Sequence, residues 1–311
     1  NPLMPGGLTN SQKSIRKIRN NFINSGFNEV LTYSLVSNDN KERIKIENPL
    51  LAETSCLRNN LWQEHIKIVN QNINAGSSNC WIFEIGKCFF NENGFKEEDY
   101  LNGIIYGENR YEYWDTSGKT SDLNYYQARG KIREVLDPLR IPIIDKSTDK
   151  FEFLHPGRSS LLLIEGKEGG YFGQINPKFI YEKKVLKNIY LFSLKLKLLI
   201  DASTRKNKLI PLYKNYPTVP KIDRDINLIF NKKYLIDNII TFIRKSGKKI
   251  LERVILIDIY SDSSIGSENI SYTFRLSYRD AIKTLKESEI TEINSNIIKK
   301  IESKYSAKLK I

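Results

Sequence analysis

Ser271-Tyr272-Thr273-Phe274-Arg275-Leu276-Ser277-Tyr278 alternates without a break. Tyr272, Phe274, Leu276 and Tyr278 fall on one face, and Ser271, Thr273, Arg275 and Ser277 on the other. That period of two is the mark of a strand with one apolar and one polar side. Its neighbours complete a unit. Residues 225–230 and 251–260 read as two more strands. Between them Leu235, Ile236, Ile239, Ile240 and Ile243 share one helical face, closed by Gly247. Downstream, Ile290, Ile293, Ile297, Ile301 and Tyr305 recur at helical spacing, and residues 307–311 supply a short last strand. The order β-α-β-β-α-β within about 100 residues predicts a ferredoxin-like domain.

The chain before it is built differently. Ile15, Ile18, Phe22 and Ile23 lie on one face of a helix over residues 11–25, ended by Gly26. Residues 29–36 read as a strand and 57–74 as a second helix. Strands follow over 80–90 and 101–106. Ile132, Val135, Leu136 and Leu139 define a helix over 126–139. Strands at 159–164 and 170–175 are joined by a turn at 165–169, and 190–197 is one more strand. Helices mixed with hairpin-connected strands imply an α+β domain with an antiparallel sheet. Residues 201–208 carry few apolar side chains. The expected organisation is therefore a first domain over 1–200, a linker over 201–214 and a second domain over 215–311.

Composition narrows the function classes. The 311 residues are twice the prior of about 150 per domain. At 40% hydrophobic and 27% charged the chain has a soluble globular balance. No stretch reaches the roughly 18 uncharged apolar residues of a membrane span, since the best candidate, 191–200, carries Lys195 and Lys197. No membrane partner is expected. Residue 1 is Asn rather than Met, so a segment of a longer chain is expected. Cys56, Cys80 and Cys88 show no C-x-x-C spacing, and His65 and His155 are the only histidines. A disulfide framework and a metal centre are both disfavoured. The net charge of +13 favours a polyanionic partner. Lys outnumbers Arg 34 to 15, a bias of AT-rich genomes such as those of plastids or reduced bacteria. Plastid stroma and bacterial cytoplasm both fit.

Several tempting motifs have plainer readings. The glycines at 166, 169, 170 and 173 do not open a helix, so a hairpin turn is preferred to a phosphate cradle. Lys245-Ser246-Gly247-Lys248-Lys249 lacks Walker spacing and reads equally as a helix C-terminus, where cations oppose the macrodipole, or as a nucleic-acid contact. His155 has no Ser and acidic partners at triad spacing and reads as a turn-stabilising residue. Trp62, Trp81 and Trp114 read as core or interface anchors.

Taken in order, the motifs resemble a family. They are residues 28–36 (NEVLTYSLV), 47–50 (ENPL), 55–61 (SCLRNNL), 83–86 (FEIG), His155-Pro156-Gly157-Arg158-Ser159 and Gly173-Gln174-Ile175-Asn176-Pro177. Tyr216-Pro217, Arg224-Asp225-Ile226, Asp258-Ile259-Tyr260, Ser271 to Leu276 and Thr284-Leu285 continue the series. This pattern resembles the C-terminal part of the β subunit of bacterial-type phenylalanyl-tRNA synthetase over nearly the whole chain. Two positions depart from it. Ile257 stands where Phe is usual, and Lys286 replaces the Ser or Thr that starts the last helix, so Ser288 is expected to cap one turn later.

The resemblance implies a degenerate class II synthetase-like antiparallel core without catalytic residues, followed by a ferredoxin-fold anticodon-binding domain. No G-x-G-x-x-R stretch and no ATP-holding arginine motif is present. It implies a catalytic α subunit as partner in an (αβ)₂ assembly, tRNA(Phe) as the RNA, and ATP and Mg²⁺ as requirements of the assembled enzyme rather than of this segment. Editing belongs upstream. The helix over 11–25, through Ile15, Ile18 and Phe22, and the strand over 29–36 are expected to pack on the α subunit. From Asn215 onward 18 Lys and Arg face 12 Asp and Glu, a net +6 in 97 residues against +7 in the other 214. Candidate phosphate contacts are Lys221, Arg224, Arg244, Lys245, Lys248, Lys249, Arg275 and Arg279. Tyr260 matches the family's aromatic that faces the anticodon, where a base can stack on the ring. A free-standing RNA-binding or regulatory module is the alternative.

Overall fold

Thr9 starts the first helix, α1 (Asn10–Asn24), with a reciprocal cap. Its hydroxyl accepts from the Gln12 N–H at 3.2 Å, and the Gln12 side chain accepts from the Thr9 N–H at 2.9 Å. The computed structural model describes residues 6–38, 42–91, 94–108, 121–180, 188–209, 213, 215–262, 265–280 and 282–309. Two compact units result, Asn1–Leu212 and Tyr213–Ile311. Trp114 lies outside the described residues.

In the first unit, α1 is followed by β1 (Asn28–Glu29), β2 (Leu35–Val36), β3 (Ile44–Lys45), β4 (Cys56–Leu57) and α2 (Trp62–Asn74). The long strands β5 (Asn79–Asn91) and β6 (Phe95–Gly107) come next, then α3 (Tyr125–Leu136). β7 (Ile143–Ser147), β8 (Leu154–Ile164), β9 (Lys167–Ile175), β10 (Ile189–Lys195), α4 (Leu196–Ser203) and α5 (Lys206–Leu209) complete it. Seven strands form one sheet in the order β1-β5-β6-β10-β9-β8-β7, antiparallel except for β1 on β5. Between β8 and β9, Glu165 and Gly166 both take positive φ (50° and 83°), the type I′ geometry that matches strand twist.

One side of this sheet packs on α1, α3 and α4. Phe22 stacks on Phe83 and Phe192 at ring separations of 4.7 and 5.4 Å, within a core that includes Ile18, Phe27, Ile132 and Leu199. The other side takes α2, through Trp62, Ile66 and Val69. This is the expected α+β class.

Three local expectations are corrected. Residues 29–36 do not form one strand: β1 and β2 sit in different sheets, and the intervening Leu31 and Tyr33 project into solvent. The helix expected over 57–74 begins only at Trp62, because Leu57 pairs with Leu35 and Ile44 in a small sheet ordered β2-β4-β3. Residues 201–208 are not extended linker. Leu196, Leu199 and Ala202 form a buried helical stripe, and the buried Ser203 hydroxyl lies 2.5 Å from that of Ser14.

The second unit contains β11 (Ile222–Asn231), α6 (Ile236–Ser246), β12 (Leu251–Tyr260), β13 (Asn269–Tyr278), α7 (Glu287–Tyr305) and β14 (Lys308–Leu309). The sheet order β12-β13-β11-β14 is that of the split βαβ motif. Ile226, Leu228, Phe230, Phe274 and Leu276 meet Ile239, Ile243, Ile290, Ile297 and Ile301 in a single core, so both helices cover one sheet face. Ser288 does not cap α7. The helix starts at Glu287, and the Glu289 carboxylate accepts the Lys286 N–H at 3.0 Å. A lysine ammonium has no acceptor, so only this half of a capping box can form.

Candidate nucleic-acid interface

Residues directly opposite one another in paired antiparallel strands share a face. The ladder of the second unit therefore defines rows across the sheet side that the helices leave open. Tyr260 lies opposite Ser271, Ser271 opposite Ile229, and Ile229 opposite Lys308. The next row carries Asp258, Thr273 and Asn227, and the one after it Arg275 and Asp225. Tyr260 is 43% exposed at the end of β12. Ser271 donates to the Asn227 side chain at 2.6 Å, so the floor beside the tyrosine ring is polar and satisfied. Lys308 was not singled out from the sequence. Only the pairing of β14 with β11 places it in the tyrosine's row.

The eight candidate cations separate into two groups. Arg275 forms a bidentate pair with Asp225 at 2.7 and 2.8 Å, and those hydrogen bonds hold Asp225 below the usual carboxylate range. Lys221 pairs with Asp223 at 2.9 Å, Arg279 with Glu252 at 3.1 Å, and Arg224 with Glu287 at the start of α7. Such exposed pairs add little stability, but they neutralise charge that a phosphate would need.

Among the described residues, no ion pair joins Arg244, Lys245, Lys248 or Lys249. These four flank the α6–β12 connection. Two features hold it tight. A Cβ at Gly247 would lie 2.3 Å from that of Leu251, and Lys248 takes a left-handed backbone with φ 52°. The glycine is thus required for close approach, while the reversal falls on the lysine. Tyr260 and this basic turn stand at opposite ends of β12, roughly 30 Å apart at strand rise. They cannot meet one nucleotide, but they can meet one extended or folded RNA.

Charge is handled in the opposite way inside the first unit. Arg58, Glu84 and His65 are all buried. Arg58 Nη1 lies 3.0 Å from Glu84 Oε1, and His65 Nε2 3.0 Å from Glu84 Oε2. The Thr32 hydroxyl donates to Glu84 Oε2 at 2.7 Å. Arg58 also donates to the backbone oxygens of Thr32 (3.1 Å) and Lys87 (2.8 Å) and to the Thr32 hydroxyl (2.7 Å). Burial pushes the Glu84 carboxyl up, but hydrogen bonds from His65 and Thr32 and the Arg58 charge outweigh it, and its pKa is lowered.

Packing is tight where β5 passes this cluster. A Cβ at Gly86 would lie 2.5 Å from Arg58 Nη2. Among the described residues no cluster of three or more His, Cys, Asp or Glu is arranged to hold a metal ion. His155 has a local role, its Nδ1 accepting the Gly157 N–H at 3.1 Å.

A mixed sheet domain followed by a ferredoxin fold, with Tyr260 on its open sheet side and a basic turn at the far end of β12, is the arrangement of an aminoacyl-tRNA synthetase subunit, and the comparisons assign it to that class. Residues 1–196 match the model of the phenylalanyl tRNA synthetase beta chain CLM domain, and residues 217–310 that of the ferredoxin-fold anticodon binding domain. The chain belongs to the phenylalanyl-tRNA synthetase beta-chain family. It is 56% identical over 310 residues to the phenylalanine–tRNA ligase beta subunit of Prochlorococcus marinus strain MIT 9312, covering 100% of this chain and 38% of that protein. The same subunit from strain NATL2A is 44% identical (99% and 38% covered), and that of Parasynechococcus marenigrum strain WH8102 is 38% identical (99% and 38%). The chain thus spans well under half the length of these relatives. Among the described residues no helix is long and apolar enough to cross a membrane.

Proposed function

We propose that this chain serves a phenylalanine–tRNA ligase as the segment of its beta subunit that binds tRNA(Phe) near the anticodon and docks on the catalytic α subunit. The observation that carries the reading is the open side of the second sheet. Tyr260 is presented there on a satisfied polar floor, with a turn of four cations at the far end of the same strand. The ring stacks on an unpaired base, and Arg244, Lys245, Lys248 and Lys249 meet phosphates. Arg275, Lys221, Arg224 and Arg279 act as spacers, already neutralised, and Lys308 joins the contact surface.

The first unit contributes no catalytic residue. ATP, Mg²⁺ and phenylalanine activation belong to the α subunit, with which the chain assembles as (αβ)₂. Of the helix and strand expected to dock, it is the strand stretch, residues 29–36, that offers exposed apolar side chains. Ile18 and Phe22 are spent on the chain's own core. The surface offered for docking is the small β2-β4-β3 sheet and its flanks, where Leu31, Tyr33 and Leu50 are 89%, 84% and 94% exposed. Large apolar side chains this exposed are the expected material of an interaction surface. The cyanobacterial relatives suit a bacterial-type setting, cytoplasm or plastid stroma.

The charge reading is tested by salt titration of tRNA binding in the assembled enzyme. Replacing Lys248 and Lys249 with Gln should weaken all tRNAs alike and lower the salt slope by roughly 0.7–0.9 per lost contact. An unchanged slope would remove the basic turn from the interface.

A further inference from the structure

The exposed segment around Leu31 and Tyr33 has almost no regular structure, yet the buried ionic cluster holds it from behind. Between β1 and β2 the chain belongs to neither sheet. Leu31 and Tyr33 point outward, and Thr32, between them, points in. Its hydroxyl donates to Glu84 and accepts from Arg58, and Arg58 Nη1 also reaches the Thr32 carbonyl. Two residues on, the Ser34 carbonyl accepts the Arg58 N–H at 2.9 Å, so side chain and main chain of one arginine grip both ends of a three-residue stretch. Glu84 is in turn fixed by His65 of α2 at 3.0 Å.

A core this large did not need a buried carboxylate. An apolar replacement of such a cluster is often neutral or stabilising, so stability is a weak reason for it. Geometry is the better reason. An isolated loop of these residues would sample many backbone states, and fixing each costs about 1–2 kcal/mol on docking unless it is fixed beforehand.

We propose that Thr32, Arg58 and Glu84 are positioning residues for subunit assembly, holding the Leu31–Tyr33 ridge in its docking conformation before the α subunit arrives. This rests on the docking reading above, and the test separates the two. The full-length beta subunit is prepared as wild type, Tyr33→Asp, Thr32→Val and Thr32→Ser. Affinity for the α subunit, thermal midpoint and amide exchange of residues 31–35 are then measured.

Thr32 is only half-buried, so valine in its place leaves a folded chain. The expected result is a loss with Tyr33→Asp and about tenfold weaker binding with Thr32→Val, the scale of hydrogen bonds to charged groups. Amide exchange at 31–35 should be faster in Thr32→Val, and binding weaker, by more than its fall in thermal midpoint accounts for. Serine, which keeps the hydroxyl, should restore binding. If Tyr33→Asp weakens assembly while Thr32→Val does not, the positioning role is overturned and the docking surface stands. Loss that merely follows the thermal midpoint, or equal loss with Ser and Val, also overturns it. If Tyr33→Asp binds as wild type, the docking surface itself is wrong and the positioning role falls with it.

Discussion

Arg58→Met keeps an unbranched side chain of similar length and removes the guanidinium from the buried cluster. The structure sets the size of the loss. Arg58 makes an ion pair with Glu84 at 3.0 Å and donates to the Thr32 hydroxyl and to the carbonyls of Thr32 and Lys87 at 2.7 to 3.1 Å. Breaking a buried pair by deleting one partner costs about 3–5 kcal/mol, because the other charge is left desolvated. Glu84 keeps His65 and the Thr32 hydroxyl, which puts the expected loss at the low end, about 3 kcal/mol. Urea unfolding followed by tryptophan fluorescence reads it cleanly. All three tryptophans, at 62, 81 and 114, lie in the first unit, so the second is silent. With a slope of about 1–3 kcal/mol per molar urea, the midpoint should fall by about 1 M or more. Adding Glu84→Gln to Arg58→Met should recover part of the loss, since the unpaired charge is then gone. A loss under about 1 kcal/mol would refute the reasoning, for it would rank the cluster with solvent-exposed pairs.

Two further outcomes follow from the same chemistry. The folded Glu84 carboxyl binds its proton less readily than its ordinary value of 4.5 allows, so the cluster's stabilisation is complete above about pH 4.5 and is lost as pH falls through the lower folded value. Acid titration of unfolding should show that loss in wild type and a smaller one in Glu84→Gln. Burial pushes the Cys88 thiol up to about 12, and Cys56 and Cys80 are buried as well. Native chain should therefore resist iodoacetamide at pH 8 at all three cysteines, and mass spectrometry should find full modification only after denaturation.

Much of the fold was legible because the apolar spacing is regular where one face is buried. The alternation of 271–278 and the Ile ladder from 290 to 305 gave β13, α7 and the order of the second unit. What failed had physical causes. Residues 29–36 alternate like a strand, but alternation cannot show that one end pairs with β5 and the other with β4. Asp201 and Thr204 make 201–208 look polar, while Leu196, Leu199 and Ala202 still supply one buried helical face. Ile18 and Phe22 could be assigned an apolar face but not its occupant, which is the chain's own Phe83 and Phe192.

At the candidate interface the residue types were readable and their pairing was not. Nothing in the chain order reveals that Asp225 neutralises Arg275, or that Glu287, 63 residues on, takes Arg224. The Arg58–Glu84–His65 cluster was missed for a similar reason. Its members are scattered in sequence and meet only when α2 lies across β5. Arg58 and Glu84 stand within the family-like motifs 55–61 and 83–86, which was the one available signal.

The most direct test of the central claim is the affinity of the assembled enzyme for tRNA(Phe) with Tyr260→Ala, measured against tRNAs with altered anticodon bases. Stacking on one base predicts a loss of about 1–3 kcal/mol for the cognate tRNA. That loss should shrink when the anticodon is changed, because the wild-type ring then has less to gain. Unchanged affinity for the cognate tRNA, or an equal loss for every anticodon, would contradict the account and make Tyr260 a residue of the sheet edge alone.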